Sequence, residues 1–420
     1  MKNNHLELSD THQTFWQLAA IQLSGWTSLP ILATSILILQ VNSFLGAIFT
    51  IIVGNAIIWF IRLGIVVMSY KKRQSMLDIT RDYLGMSGGY FIAVVSIAST
   101  LMWFITQTTA ASSTLTHLIT IKENPTIDKF TQMSVLLGVT STFLCMEGMV
   151  LLRRLTTIAF PILLVTFFVC IFTMPFQLPE KSEAGLSLAG LALVLSTNLG
   201  ITSDLPTFFR HSKSLQTSIV ALTVIQIIGI VIAICSLYFG LIINRTFDVN
   251  DVAVLSTGNN VLRISLIIFV FLSVICANVA NVYSASVGWE ILAPKALVGR
   301  KEYLILGLGL TTIFILISNL FSVEYLLESS DSSLVNLCMV LLAGYMISRL
   351  RKRLPHPHEQ KAYFFAWALA SVINCIQFSE PNFIKLAPLG TGIIVILVFL
   401  GGYFLTRNIL QNRRLVKIDR

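Results

Sequence analysis

Long apolar runs separated by short polar loops dominate this chain, and most reach the length of about 20 residues that a membrane span requires. Twelve such runs can be drawn, over 17–38, 43–70, 86–116, 130–149, 151–174, 185–209, 215–243, 261–291, 303–321, 323–349, 363–379 and 386–406. The stretch 71–85 is polar and mildly amphipathic, which predicts a short helix between the second and third spans. Two runs carry an interruption. The first contains Gly25-Trp26-Thr27-Ser28-Leu29-Pro30, and the sixth contains Gly200-Ile201-Thr202-Ser203-Asp204-Leu205-Pro206. Both read Gly-x-Thr-Ser and then Leu-Pro, with one residue inserted in the second. Pro removes a helical donor, and Gly costs about 1 kcal/mol relative to Ala inside a helix. Such breaks persist in a membrane only where protein or a water-filled cavity receives the freed backbone groups. Broken spans five apart predict an all-α polytopic protein built from inverted five-helix repeats, with its site at the breaks. The first repeat would cover 17–174, the second 185–349, and two extra helices 363–406, all within one transmembrane domain over 1–420.

Composition and charge agree with this pattern. Of 420 residues, 55% are hydrophobic and only 12% charged, against roughly 25% charged in soluble proteins. Among the 29 Lys and Arg, Arg62 falls inside a span. Lys122, Lys129, Lys181, Arg245, Arg263 and Lys385 fall on one side of the twelve-span layout, and all the others on the other. Basic loops stay in the cytoplasm, so both termini are expected there, in an inner or plasma membrane. The net charge of +9 follows the loops, which points to topology and lipid headgroups rather than nucleic acid. The six cysteines lie in apolar segments without a CxxC, so neither disulfides nor a metal centre is expected. Met1–Gln13 is polar and does not read as a cleavable signal. The six histidines show no ligand spacing, and no HExxH, Walker-type or GxSxG pattern occurs, so no enzyme and no cofactor is indicated.

Polar groups inside spans mark the candidate chemistry. Ser196, Thr197 and Asn198 precede the glycine of span six. Asn supplies donors and an acceptor able to read an amide or heterocycle edge. Span eight carries Ser273, Asn278, Asn281, Tyr283, Ser284 and Ser286, and its two asparagines lie close on a helical face. Interhelical packing is the alternative reading for such a stretch. Trp103 sits at the middle of span three, where an indole face can stack on a planar ligand or simply fill the core. Glu328 and Asp331 are three apart in span ten and suggest an outer vestibule or a protonatable pair. Arg62 invites an acidic partner, with Asp204 and Glu290 as candidates.

These residues carry a resemblance. Asp204-Leu-Pro-Thr-Phe-Phe-Arg210-His-Ser-Lys213 resembles the end of span six in the nucleobase–cation symporter family, of which cytosine permease is a member. The run NVANVYSASVGW from Asn278 to Trp289 resembles its span eight, and Trp103-Phe104 its span three. The similarity extends patchily over spans one to ten. It implies the inverted-repeat fold of LeuT, with substrate between spans one, three, six and eight. By that resemblance Trp103 would stack on a planar substrate, and Thr100 would replace a hydrogen-bonding glutamine. Asn278 would be a polar contact, and Gly25 and Trp26 would line the broken first span. Two positions depart from the family pattern. Leu195 stands where a second stacking aromatic is expected, nine residues before Asp204. Cys276 and Ala277 stand where hydroxyls help ligate sodium, leaving Ser273 and main-chain carbonyls, whereas a hard cation wants oxygen ligands.

The expected function is therefore alternating-access transport of a small polar molecule, with a nucleobase such as cytosine or a purine first. An amino-acid transporter of the same fold and a non-transporting receptor remain as alternatives. Sodium and protons are both open as the coupling ion, with Asp204, Glu328 and Asp331 as the carboxyls available to titrate. Substrate and lipid bilayer are the expected partners, and oligomeric state is left open.

Overall fold

A computed structural model describes residues 12–120, 127–174, 185–242, 259–292, 323–378 and 392–404, with Ile305, Leu308, Gly309 and Thr312. Among these residues the regular structure is helical, and the one bridge of extended backbone joins Gln13 to Ser212. In chain order the helices are α1 (Phe15–Trp26), α2 (Leu29–Val41), α3 (Phe44–Lys72), α4 (Met76–Ile119) and α5 (Ile127–Cys145). They continue with α6 (Met149–Thr173), α7 (Leu188–Leu199), α8 (Leu205–Phe209), α9 (Leu215–Ile242) and α10 (Asn260–Leu292). The last are α11 (Val323–Arg351), α12 (Pro357–Phe378) and α13 (Gly392–Phe404). Seven helical runs among the described residues are long and apolar enough to cross a membrane. The expected span 303–321 lies outside the described residues apart from four positions, and that over 386–406 is described for 392–404. Phe172 and Phe143, 82% and 72% exposed, fit a lipid rather than an aqueous surround.

Helix starts follow local chemistry. Thr14 and Gln17 form a capping box at α1, and Ser75 and Asp78 form another at α4. Ser43 and Ser187 accept from the N–H groups of Gly46 and Gly190 at the starts of α3 and α7. Each side-chain oxygen takes up a donor that the first helical turn leaves unpaired. The short helix expected at 71–85 is present as the first part of α4. It ends where Gly85 adopts φ +79°, a conformation that glycine tolerates best. Lys72 pairs with Asp82 at 2.6 Å, and Gln360 donates to the Asp82 carbonyl at 3.1 Å, tying this piece to α3 and α12.

Both expected breaks are present. α1 stops at Trp26, Thr27 and Ser28 are non-helical, and α2 restarts with Pro30 in its first turn. α7 stops at Leu199, Gly200–Asp204 winds as a tighter 3-10 turn, and α8 restarts with Pro206 in its first turn. The prolines thus open the second halves, where a missing N–H is tolerated, instead of causing the interruptions. Around the breaks α10 packs along α4, α5 and α6, while α2 and α3 pack on α9. α11 crosses α4, α12 and the 3-10 turn. Phe104, Phe160, Phe167, Phe239 and Phe269 anchor the main core, and Ile38, Ile51, Ile58, Val194 and Leu237 form a second, smaller one.

Candidate functional site

A cavity opens where the two broken helices face each other. Gly25, Trp26 and Ser28 line it from the α1–α2 break, and Thr197, Asn198, Gly200, Ser203 and Asp204 from the second break. α4 adds Ser99, Thr100, Trp103 and Gln107, α10 adds Ala277, Ala280 and Asn281, and α11 adds Asp331. The breaks touch directly, since Trp26 Nε1 donates to Asn198 Oδ1 at 2.7 Å. A side chain on Gly229 of α9 would overlap the Trp26 indole, so glycine is what admits that ring.

Asp331 is the polar centre opposite the second break. Ser99 Oγ donates to its Oδ1 at 2.6 Å, and Trp103 Nε1 donates to its Oδ2 at 2.8 Å. Ser99 and Trp103 are four apart on α4, so one helical face presents both donors to one carboxylate. The 3-10 turn passes close enough that a Cβ on Gly200 would sit 2.9 Å from Asp331 Oδ2. Trp103 is thereby fixed at its N–H end while its ring faces the cavity. The described lining contains the carboxylates Asp204 and Asp331 but no Lys, Arg or His.

Arg62 of α3 lies behind this lining and is 2% exposed. It forms no ion pair with a described acid, so the expected partnership with Asp204 or Glu290 does not occur. Its Nε donates to Thr202 Oγ1 at 3.2 Å and its Nη1 to Gln226 Oε1 at 3.3 Å. Its Nη2 donates to the Asn198 carbonyl at 2.5 Å, and its Cζ lies 4.9 Å from the Trp26 ring centroid. The acceptors come from a helix break and a neighbouring amide.

The structure brings Gly25, Trp26, Thr100, Trp103, Thr197, Asn198, Asp204 and Asp331 to one cavity. The Thr100 hydroxyl is engaged by its own helix, donating to the carbonyls of Ser96 and Ile97 at 2.9 and 3.0 Å. Asn278 is placed elsewhere. It is fully buried and donates to Thr108 Oγ1 at 2.8 Å, while Asn281, one turn on, reaches the cavity beside Gln107. Leu195 joins the smaller apolar core and does not line the cavity. The side chains of Ser196 and Glu328 lie outside the described residues. Asp331 sits at the level of the breaks and not in an outer vestibule. Ser99, Asn55 and Gln107 join the site without having been singled out in the sequence, although the spacing of Ser99 and Trp103 is a usable signal.

At the place where the resemblance puts a cation, Ser273 Oγ donates to the Val270 carbonyl at 3.0 Å. Cys276 is buried, and Ala277 lies against the first break, its Cα 3.9 Å from where a Cβ on Gly25 would stand. Positions 276 and 277 thus bring no side-chain oxygen to the junction of α1 and α10.

No protein-family model matches the sequence, and no curated protein aligns with it significantly. Solved structures do match in three dimensions. Mhp1, a nucleobase-cation-symport-1 family transporter, in a closed conformation with bromovinylhydantoin bound, superposes with a TM-score of 0.72 at 15% identity. That match covers 92% of this chain and 91% of Mhp1. The inward-facing conformation of Mhp1 gives 0.68 at 14% identity over 93% and 91% of the two chains. A substrate-bound, outward-open, Na+-coupled sialic acid symporter gives 0.66 at 9% identity over 93% and 89%. These neighbours are transporters rather than enzymes. The chain therefore has the LeuT fold in the form that Mhp1 takes, and it is a multi-pass membrane protein.

Proposed function

We propose that this chain is a secondary active transporter that carries a small, planar, polar molecule by alternating access, with a nucleobase such as cytosine or a purine as the first substrate class. The observation that carries this reading is the cavity at the paired breaks, where the Trp103 ring stands beside the Asp331 carboxylate. An indole face offers a stacking surface, and a carboxylate with lone pairs to spare accepts from the N–H edge of a heterocycle. Asn198, Asn281 and Gln107 supply further amides for the remaining edge. Gly25, Trp26, Thr100 and Thr197 shape the walls, while Asn278 acts as an interhelical bond rather than a contact. An amino-acid substrate ranks second. The same fold can serve one, but two carboxylates and no Lys, Arg or His in the described lining oppose a substrate carboxylate. The cytoplasmic membrane is the proposed location, with both termini inside.

Asp331 and Asp204 are the proposed proton carriers, because intramembrane acids commonly serve proton relays. Positions 276 and 277 offer no hydroxyl for sodium. A thermal-shift screen of the purified protein against free bases, nucleosides and amino acids tests the substrate class. Vesicle uptake under a sodium gradient alone and a pH gradient alone then tests the coupling. Stabilisation by amino acids but by no base overturns the substrate class, and accumulation driven by sodium without response to pH overturns the coupling.

A further inference from the structure

We infer that Arg62 is a positioning residue, a cation built into the protein that ties the break in α1–α2 to the break in α7–α8, so that this junction takes no ion from solution. The inference deepens the transporter reading and rests on it. Asn198 lies at the end of α7, where last-turn carbonyls lose their helical donors. Arg62 donates to that carbonyl and to the hydroxyl of Thr202 inside the 3-10 turn. On its other side the guanidinium lies against the Trp26 ring at the end of α1, and Trp26 itself bonds Asn198. Gln226 of α9 supplies a third acceptor, and its Nε2 donates to Asn55 Oδ1 at 2.6 Å. Asn55 in turn donates to the Ile51 carbonyl at 2.8 Å.

The chemistry suits arginine alone. A planar fork of five N–H donors serves separate acceptors at once, stacks on an aromatic face, and is more weakly hydrated than an ammonium. A buried charge persists only when its surroundings replace water. Here three oxygens and one indole do so without a carboxylate. An oxygen-lined junction of broken helices would otherwise attract a metal cation, and the guanidinium already occupies it. Because Arg62 hangs from α3, it also ties both breaks to that helix.

The test uses full-length protein in proteoliposomes with Ala280→Cys as a reporter on the cavity wall, and alkylation rate as the readout. Protein lacking the reporter gives the background from the six native cysteines. With Arg62 intact, labelling should be the same in sodium and in choline. Arg62→Ala should label about tenfold faster, the scale of losing a hydrogen bond to a charged group. Added methylguanidinium should slow it again and sodium should not, while Arg62→Lys should be intermediate. Wild-type labelling in Arg62→Ala, rescue by sodium instead of methylguanidinium, or sodium-dependent labelling of the parent each overturns the inference. Should Arg62→Ala fail to fold, Gln226→Leu and Thr202→Val each remove one acceptor and leave the guanidinium in place. Both should then label faster, and unchanged labelling in both overturns the inference as well. The readout needs no substrate, so failure of the substrate screen and failure of this test are separate results.

Discussion

Replacing Asp331 with asparagine separates substrate contact from coupling, because the amide keeps the shape and loses both the charge and the exchangeable proton. The carboxylate accepts from Ser99 at 2.6 Å and from Trp103 at 2.8 Å. An asparagine in the same place offers one acceptor oxygen, so one of these two donors must face an NH2 group. Hydrogen bonds to a charged group contribute about 1.5–3 kcal/mol and neutral ones about 0.5–1.5 kcal/mol. A substrate N–H donating to the amide instead of the carboxylate therefore loses about 1–2 kcal/mol, or roughly 5- to 30-fold in affinity. Folding stability should change less, since removing a buried charge also removes its desolvation cost. Calorimetric titration of purified Asp331→Asn with the substrate found by screening measures the first effect. Vesicles measure the second, with accumulation under a pH gradient compared against exchange of labelled for unlabelled substrate. The expected result is weaker binding, retained exchange and no accumulation. Wild-type affinity together with wild-type accumulation under a pH gradient would refute the reasoning.

The same geometry carries three further expectations, and the distribution of basic residues among the loops carries a fourth. Trp103→Ala should lose the stacking face, about 0.5–1.5 kcal/mol beyond area, and bind more weakly while still inserting. Asn278→Ala should lower thermal stability by about 1 kcal/mol without weakening binding, and a loss of affinity in it would return this residue to the substrate. Gly229→Ala should displace the Trp26 indole and break its bond to Asn198, seen as a change in tryptophan fluorescence and a lower melting temperature, and an unchanged spectrum with full stability would contradict that packing. Cysteines placed at 180–183 or 248–251 should react with an impermeant reagent from outside, and those at 71–73 or 351–353 only from inside, with the opposite labelling refuting the proposed orientation.

What could be read from the chain depended on how local the cause was. The breaks were legible because glycine, hydroxyl residues and proline act on their own helix, and Gly85 likewise separates the short helix from the span behind it. Asn278 and Asn281 were harder to assign. Three residues on a helix span about 300°, so both lie near one face, and only packing against Thr108 and Gln107 decides which one reaches the cavity. Glu328 and Asp331 read from the sequence as an outer vestibule or a protonatable pair, because their spacing alone does not show what faces them across the bundle. α11 starts at Val323, where the apolar run places it, and the donors to Asp331, Ser99 and Trp103, come from a helix more than 200 residues away. Arg62 shows a different difficulty. A search for its partner looks for acidic letters, whereas its partners are a main-chain carbonyl, a hydroxyl and an amide exposed by a neighbouring helix ending.

The bridge between Gln13 and Ser212 belongs to a latch at the basic end of the bundle. The Gln13 backbone N–H donates to the His211 carbonyl at 2.9 Å, and Arg73 Nη1 donates to the carbonyls of Arg210, at 2.9 Å, and Ser212. All three acceptors are peptide oxygens. Side-chain replacement at 210, 211 or 212 leaves those oxygens in place, and no change of pH within the physiological range titrates them. Side chains there can thus change without removing these three acceptors, although buried Ser212, whose hydroxyl donates to the Ser214 carbonyl, holds the turn in its own way. Arg73 is the member of the latch whose side chain supplies its bonds, so substitution at that one position is what unfastens the turn from α3.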